Sequence, residues 1–109
     1  MNDALAALAA RACRADAPRL GDAELAGYLA ALPGWVRTGV AIEKEFRFAD
    51  FARTIAFVNE VAALAERCDH HPDLGVHYGR CTVAWSTHSA GGITLNDVIC
   101  AAKVEGLRS

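Results

Sequence analysis

The chain has 109 residues, 53% of them apolar and 22% charged, the balance of one ordered globular domain with a single modest core. Net charge is -2 and the eleven lysines and arginines are scattered from Arg11 to Arg108, so there is no basic tract to neutralise a phosphate backbone, and nucleic acid is disfavoured as a direct partner. No apolar run approaches the roughly 20 residues that cross a membrane, and Asp3 stands where a signal peptide would be positive, so a cytoplasmic protein with no membrane partner is expected.

Residues 1–21 open Ala-rich and turn polar through Cys13-Arg14-Ala15-Asp16-Ala17-Pro18. A turn or two of helix is expected, ended by Pro18 and Gly21, and the segment reads as a loosely attached arm ahead of a domain over 22–109. A helix is predicted over 23–32, with Asp22 as its N-cap and Leu25, Tyr28, Leu29 and Leu32 as its apolar stripe. Pro33-Gly34 stops it, and Trp35 reads as a core anchor beside the first strand. After Gly39, alternation begins. Val40, Ile42, Phe46 and Phe48 point one way, with Lys44 as the exception, and Ala41, Glu43, Glu45 and Arg47 point the other. Period two with one charged face means a sheet covered on one side.

Asp50 is expected to cap a second helix from Phe51 to Arg67. Its apolar stripe runs through Phe51, Ile55, Val58, Ala62 and Ala65, widened by Phe57, Val61 and Leu64. Pro72 cannot continue the helix, which leaves His70 and His71 in its exit. Two more strands are predicted near 75–79 and 81–87, and a third helix from Leu95 to Glu105 capped by Thr94. This order implies an α+β fold: a four-stranded antiparallel sheet with three helices packed on one face. The four cysteines, Cys13, Cys68, Cys81 and Cys100, match no zinc or disulfide spacing and read as reduced thiols.

Three of the four histidines fall at element ends. His70 and His71 follow a helix, and His88 follows a strand just ahead of Gly91-Gly92. Imidazole serves as acid and base near neutrality, so histidines sharing a rim suit a dehydration or an isomerisation. Adjacent residues in an extended segment point apart, so His70 and His71 need not act together. Asp97 stands at the third helical position after Thr94, where it either bonds back to the Thr94 backbone as in a capping box or supports the histidines. Glu66 either reaches the histidine segment or is solvated. His77 lies within a strand and reads as non-catalytic. A metal on these residues is not expected, since no His-x-x-x-His pair occurs and no cysteine joins them.

The set Glu66-x-x-x-His70-His71-Pro72, then Tyr78, His88 and Asp97, resembles the signature of the pterin-4a-carbinolamine dehydratases. Gly34-Trp35, Phe46-x-Phe48-x-Asp50-Phe51 and Thr87-His88 followed by Gly91-Gly92 are similar to that family as well, over about residues 22–107. The Cys13–Pro18 segment resembles bacterial members associated with phenylalanine hydroxylase. The resemblance implies removal of water from 4a-hydroxytetrahydropterin to give quinonoid dihydropterin, which recycles the pterin of an aromatic amino-acid hydroxylase. It implies no cofactor, His70 and His88 as the acid/base pair, His71 as the residue orienting substrate, and Asp97, Glu66 and Thr87 as supports. It further implies a homodimer or homotetramer. Relatives that act as transcriptional co-activators or in molybdopterin metabolism mark alternative readings.

Overall fold

A computed structural model describes residues 2–107; Met1 of the expected arm and residues 108 and 109 at the end of the expected domain lie outside the described residues. The alternation after Gly39 builds the centre. Strand β2 (Ala41–Arg47) buries Ile42 and Phe46 and exposes Glu45 and Arg47. It pairs antiparallel with β1 (Val36–Thr38) on one side and with β4 (Arg80–Trp85) on the other, and β3 (Asp73–His77) closes the sheet beyond β4 in the order β1-β2-β4-β3. The register sets Ile42 opposite Trp85, Phe46 opposite Cys81 and Leu74 opposite Val83. These six side chains therefore share one face. Helices α3 (Phe51–Cys68) and α4 (Leu95–Gly106) pack on strands of that sheet, and the core lies between.

Val40 departs from the alternation because it belongs to the turn between β1 and β2, and it is 61% exposed. Lys44 keeps the inward direction, opposite Val83 of β4. Its Nζ is satisfied by Glu105 Oε1 at 2.5 Å and the Pro33 carbonyl at 2.8 Å. Glu105 also accepts the Trp35 indole N–H at 2.8 Å, so one carboxylate ties the buried tryptophan and the lysine to the end of α4.

Asp50 caps α3 as expected, accepting the Arg53 N–H at 2.8 Å. The buried stripe is rotated from the expected one: it runs through Thr54, Phe57, Val61, Leu64 and Ala65, while Phe51 is exposed and Ile55 and Val58 are half-buried. The cause is Thr54. Its hydroxyl donates to Asp50 O and Tyr78 O, each at 2.9 Å, so a polar residue sits satisfied where an apolar one is expected.

Four helices, not three, are present among the described residues. Helix α2 (Asp22–Leu29) starts one residue before the expected place, with Gly21 at its N-cap, because Asp22 turns outward to pair with Arg37 at 2.8 Å. It ends earlier too, as the chain tightens through Ala31 N–H to Tyr28 O and Leu32 N–H to Leu29 O. The added helix is α1 (Asp3–Ala9), capped by Asn2, and it packs on α4. Leu5 and Leu8 are buried there, each worth about 1.5–3 kcal/mol, so the N-terminal segment is docked where the sequence suggests a loose arm.

Three further ties hold the end of α1 and the segment after it. Asn96 clamps the Arg14 backbone from both sides, accepting its N–H at 3.0 Å and donating to its carbonyl at 2.7 Å. Lys103 donates to Ala9 O at 2.7 Å. Arg19 pairs with Thr94 as an isolated bridge. No helix among the described residues is long and apolar enough to cross a membrane.

Candidate active site

The exit of α3 places the first histidines. Asp69 directly follows the helix in the left-handed region, at φ 49° and ψ 42°. His70 N–H reaches back to Ala65 O and Asp69 N–H to Glu66 O, the paired bonds of a Schellman ending. The helix is thus terminated at Asp69, ahead of Pro72. The reversal turns His70 inward and His71 outward.

His70 lands against the end of the sheet. Its ring stacks on Trp85, with centroids 5.6 Å apart and planes 13° from parallel. Its Nε2 lies 2.5 Å from Asp97 Oδ1. Asp97 is fully buried in the first turn of α4, and a carboxylate there must be satisfied. It accepts from the Thr87 hydroxyl at 2.8 Å and the Thr94 N–H at 2.9 Å through Oδ2, and from His70 through Oδ1. Both readings of Asp97 therefore hold at once: one oxygen closes the helix cap and shares Thr87, and the other takes the histidine.

This bond fixes the ring. An ionised carboxylate only accepts, so Nε2 carries a proton and Nδ1 is the nitrogen that exchanges one. The hydrogen bond to Asp97 raises the His70 pKa above its ordinary value, against the opposing effect of burial.

Thr87 connects the third histidine. It exchanges backbone hydrogen bonds with Gly92, Thr87 N–H to Gly92 O at 2.9 Å and Gly92 N–H to Thr87 O at 3.3 Å, which closes a short loop. His88 begins that loop on one turn of 3-10 helix (His88–Ala90) and is exposed. Gly91 ends the turn at φ 70°, a left-handed position that glycine takes without strain. The Thr87 hydroxyl also lies 2.9 Å from the Thr94 hydroxyl, so the loop is anchored to the start of α4.

A cavity of about 280 Å³ borders these loops. Asp69, Thr87 and Ser89, the sequence neighbours of His70 and His88, line one part of it, and Cys13 to Ala17 of the docked segment line another. His71 and Glu66 form a separate, exposed pair, with His71 Nε2 3.1 Å from Glu66 Oε1. Glu66 thus reaches the histidine segment. His77 and Tyr78 lie at the other end of the β3–β4 hairpin from Trp85, and Tyr78 is 70% exposed.

The structure brings Trp85 and Thr94 into contact with the site residues, Trp85 against His70 and Thr94 against Thr87 and Asp97. Trp85 is legible as an inward strand position and Thr94 as a cap, but neither has a pattern that announces its contact with the site. The cavity's lining takes in Thr87 and the sequence neighbours of His70, His88 and Asp97, but none of those three residues themselves.

Comparison with known proteins bears on this geometry. The sequence profile described as pterin 4 alpha carbinolamine dehydratase matches residues 18–107. A relative from Xanthomonas campestris pv. campestris, provisionally named a pterin-4-alpha-carbinolamine dehydratase, is 57% identical over 91 residues, covering 82% of this chain and 77% of its own. A relative of the same name from Xanthomonas axonopodis pv. citri is 55% identical over the same length, with the same coverage. A crystal structure described as a transcriptional coactivator/pterin dehydratase from Brucella melitensis superposes with a TM-score of 0.80 at 35% identity, covering 84% of this chain and 99% of that one. A pterin dehydratase-like protein described as a RuBisCO assembly factor in the alpha-carboxysome shares the fold, with a TM-score of 0.55 at 24% identity. By the extent of the profile match and the identity to these relatives, the chain belongs to the pterin-4a-carbinolamine dehydratase family.

Proposed function

We propose that this chain removes water from 4a-hydroxytetrahydropterin to give quinonoid dihydropterin, by acid/base work of its histidines, and so recycles the pterin of an aromatic amino-acid hydroxylase. The observation that carries the reading is the hydrogen bond between buried Asp97 and His70, with Thr87 linking the same carboxylate to the His88 loop. In the elimination the bond from carbon 4a to oxygen breaks, and the hydroxyl leaves as water with a proton from an acid. A ring-nitrogen lone pair forms the new double bond as a base takes that nitrogen's proton. His70 and His88 are the acid/base pair, and His71, set by Glu66, orients the substrate. Asp97 and Thr87 are positioning residues. Each proton transfer by a placed side chain is worth roughly 10²–10⁴-fold.

The chain works without an organic cofactor in this reading, as a cytoplasmic homodimer or homotetramer. Exposed Val36, Phe51, Val76 and Tyr78 support self-association, and the four free thiols support a reducing compartment. The test is direct. The carbinolamine is generated by an aromatic amino-acid hydroxylase, and quinonoid dihydropterin is followed with and without this protein. Acceleration over the spontaneous reaction is expected; its absence sinks the enzymatic reading.

The coactivator description of the Brucella melitensis structure favours one second reading, a protein-binding module. Partner binding that survives replacement of His70 and His88, in a protein that never accelerates dehydration, would favour it.

A further inference from the structure

Three of the four cysteines, remote in sequence, meet behind the α3 exit. Cys13 lies in the docked segment after α1, Cys68 is the last residue of α3, and Cys100 is buried in α4. Their sulfur atoms all lie within 4.8 Å of one another. Cys13 and Cys100 are 3.5 Å apart, and the Cys13 thiol also donates to Asn96 O at 3.8 Å.

We infer that Cys13, Cys68 and Cys100 form a three-thiolate site for one soft d10 cation of the zinc type, clasping the N-terminal segment to α3 and α4. Zinc bonds thiolate sulfur at about 2.3 Å, which puts the sulfurs of a tetrahedral site roughly 3.8 Å apart. The Cys13–Cys100 separation of 3.5 Å is close to that spacing and the Cys68 sulfur lies within 4.8 Å of both, so small rotations of half-buried Cys13 and Cys68 complete the triangle. A cavity of about 460 Å³, lined by Cys13, Cys68 and Lys103, gives the ion its way in and leaves the fourth position to water or a small ligand. Three thiolates around a divalent ion leave one negative charge, which the Lys103 ammonium beside the cavity offsets.

The backbone on both sides of Cys13 is already fixed, by Lys103 at Ala9 O and by Asn96 at Arg14, so the site is preorganised from the segment's side. No hydrogen bond joins the three thiols to His70, which turns to Asp97 and Trp85, although Cys13 and Cys68 also line the cavity that Asp69 and Thr87 border. Binding joins positions 13 and 100, 87 residues apart, and stabilises the folded chain in proportion to occupancy.

The experiment uses the full-length chain, reduced and stripped with a chelator, then titrated with Co2+ alone and challenged with Zn2+. One equivalent per chain is expected, with a thiolate-to-cobalt charge-transfer band that Zn2+ abolishes. Cys13→Ser and Cys68→Ser, at half-buried positions, should weaken binding by more than the roughly 10–100-fold that loss of an outer-shell partner costs. Cys81→Ser, outside the triangle, should leave it unchanged. Zn2+ should slow tryptic cleavage at exposed Arg11 and Arg14 in the parent chain but not in Cys13→Ser. Absence of the band in fully reduced parent protein overturns the inference. So does a band that persists in both Cys13→Ser and Cys68→Ser, or a Cys13–Cys100 disulfide forming in a chain that, once reduced, takes up no metal.

Discussion

Asp97 and His70, 27 residues apart in sequence, meet at 2.5 Å, and the carboxylate that makes the contact also closes the N-terminal cap of α4. One buried group therefore sets a helix start, a histidine tautomer and, through Thr87, the base of a loop. Asp97→Asn should disturb all three. Its three partners each donate, so an amide leaves one donor facing another, at a cost of about 1–3 kcal/mol. Urea unfolding should register that cost. A purely structural role for Asp97 would stop there; a positioning role also lowers kcat more than it raises KM and moves the His70 limb of the pH profile to lower pH.

The same pair gives stability a pH dependence with a defined sign. The His70 pKa is raised on folding, chiefly by the Asp97 hydrogen bond. The contribution is then fully present below the unfolded value of about 6.5 and is lost as pH rises through the folded value. With chelator and reductant present, the stability gap between the parent and His70→Gln should be larger at about pH 6 than at about pH 9. A gap that grows with pH would contradict the assignment.

Asp69 carries the turn that aims His70. Its left-handed backbone suits Asp, Asn or Gly and not a β-branched residue. Asp69→Gly should be close to neutral in a thermal melt, and Asp69→Val should cost about 1–2 kcal/mol. Equal melting of the two would mean that the turn is not strained.

Docking of the N-terminal helix has its own test. Leu5→Ala removes a side chain buried against α4 and should cost about 2–5 kcal/mol in urea, whereas a loose arm would lose almost nothing.

Local signals carried much of this fold. Asp50 and Thr94 mark helix starts by residue type, and Ile42 and Phe46 mark the inner sheet face by period. The histidines' places at element ends followed from those boundaries, although β3 starts and ends two residues earlier than 75–79. Long-range satisfaction was not legible. Thr54 reads as a break in an apolar stripe until its two carbonyl partners are seen. Leu5 and Leu8 form too short a stripe to announce a docked helix before α4 is placed beside them. Cys13, Cys68 and Cys100 have spacings that no metal motif uses, and only the packing of three separate segments brings them together. The His70–Trp85 stack is likewise a product of the sheet register.

The central claim is that His70 and His88 move the protons of a pterin dehydration. It is tested most directly by the rate of quinonoid dihydropterin formation from freshly generated 4a-carbinolamine, measured for the parent chain and for the double variant His70→Ala, His88→Ala. The account predicts a clear acceleration by the parent and a loss of at least ~10²-fold in the double variant, with its fold intact by circular dichroism. A double variant as fast as the parent would contradict it.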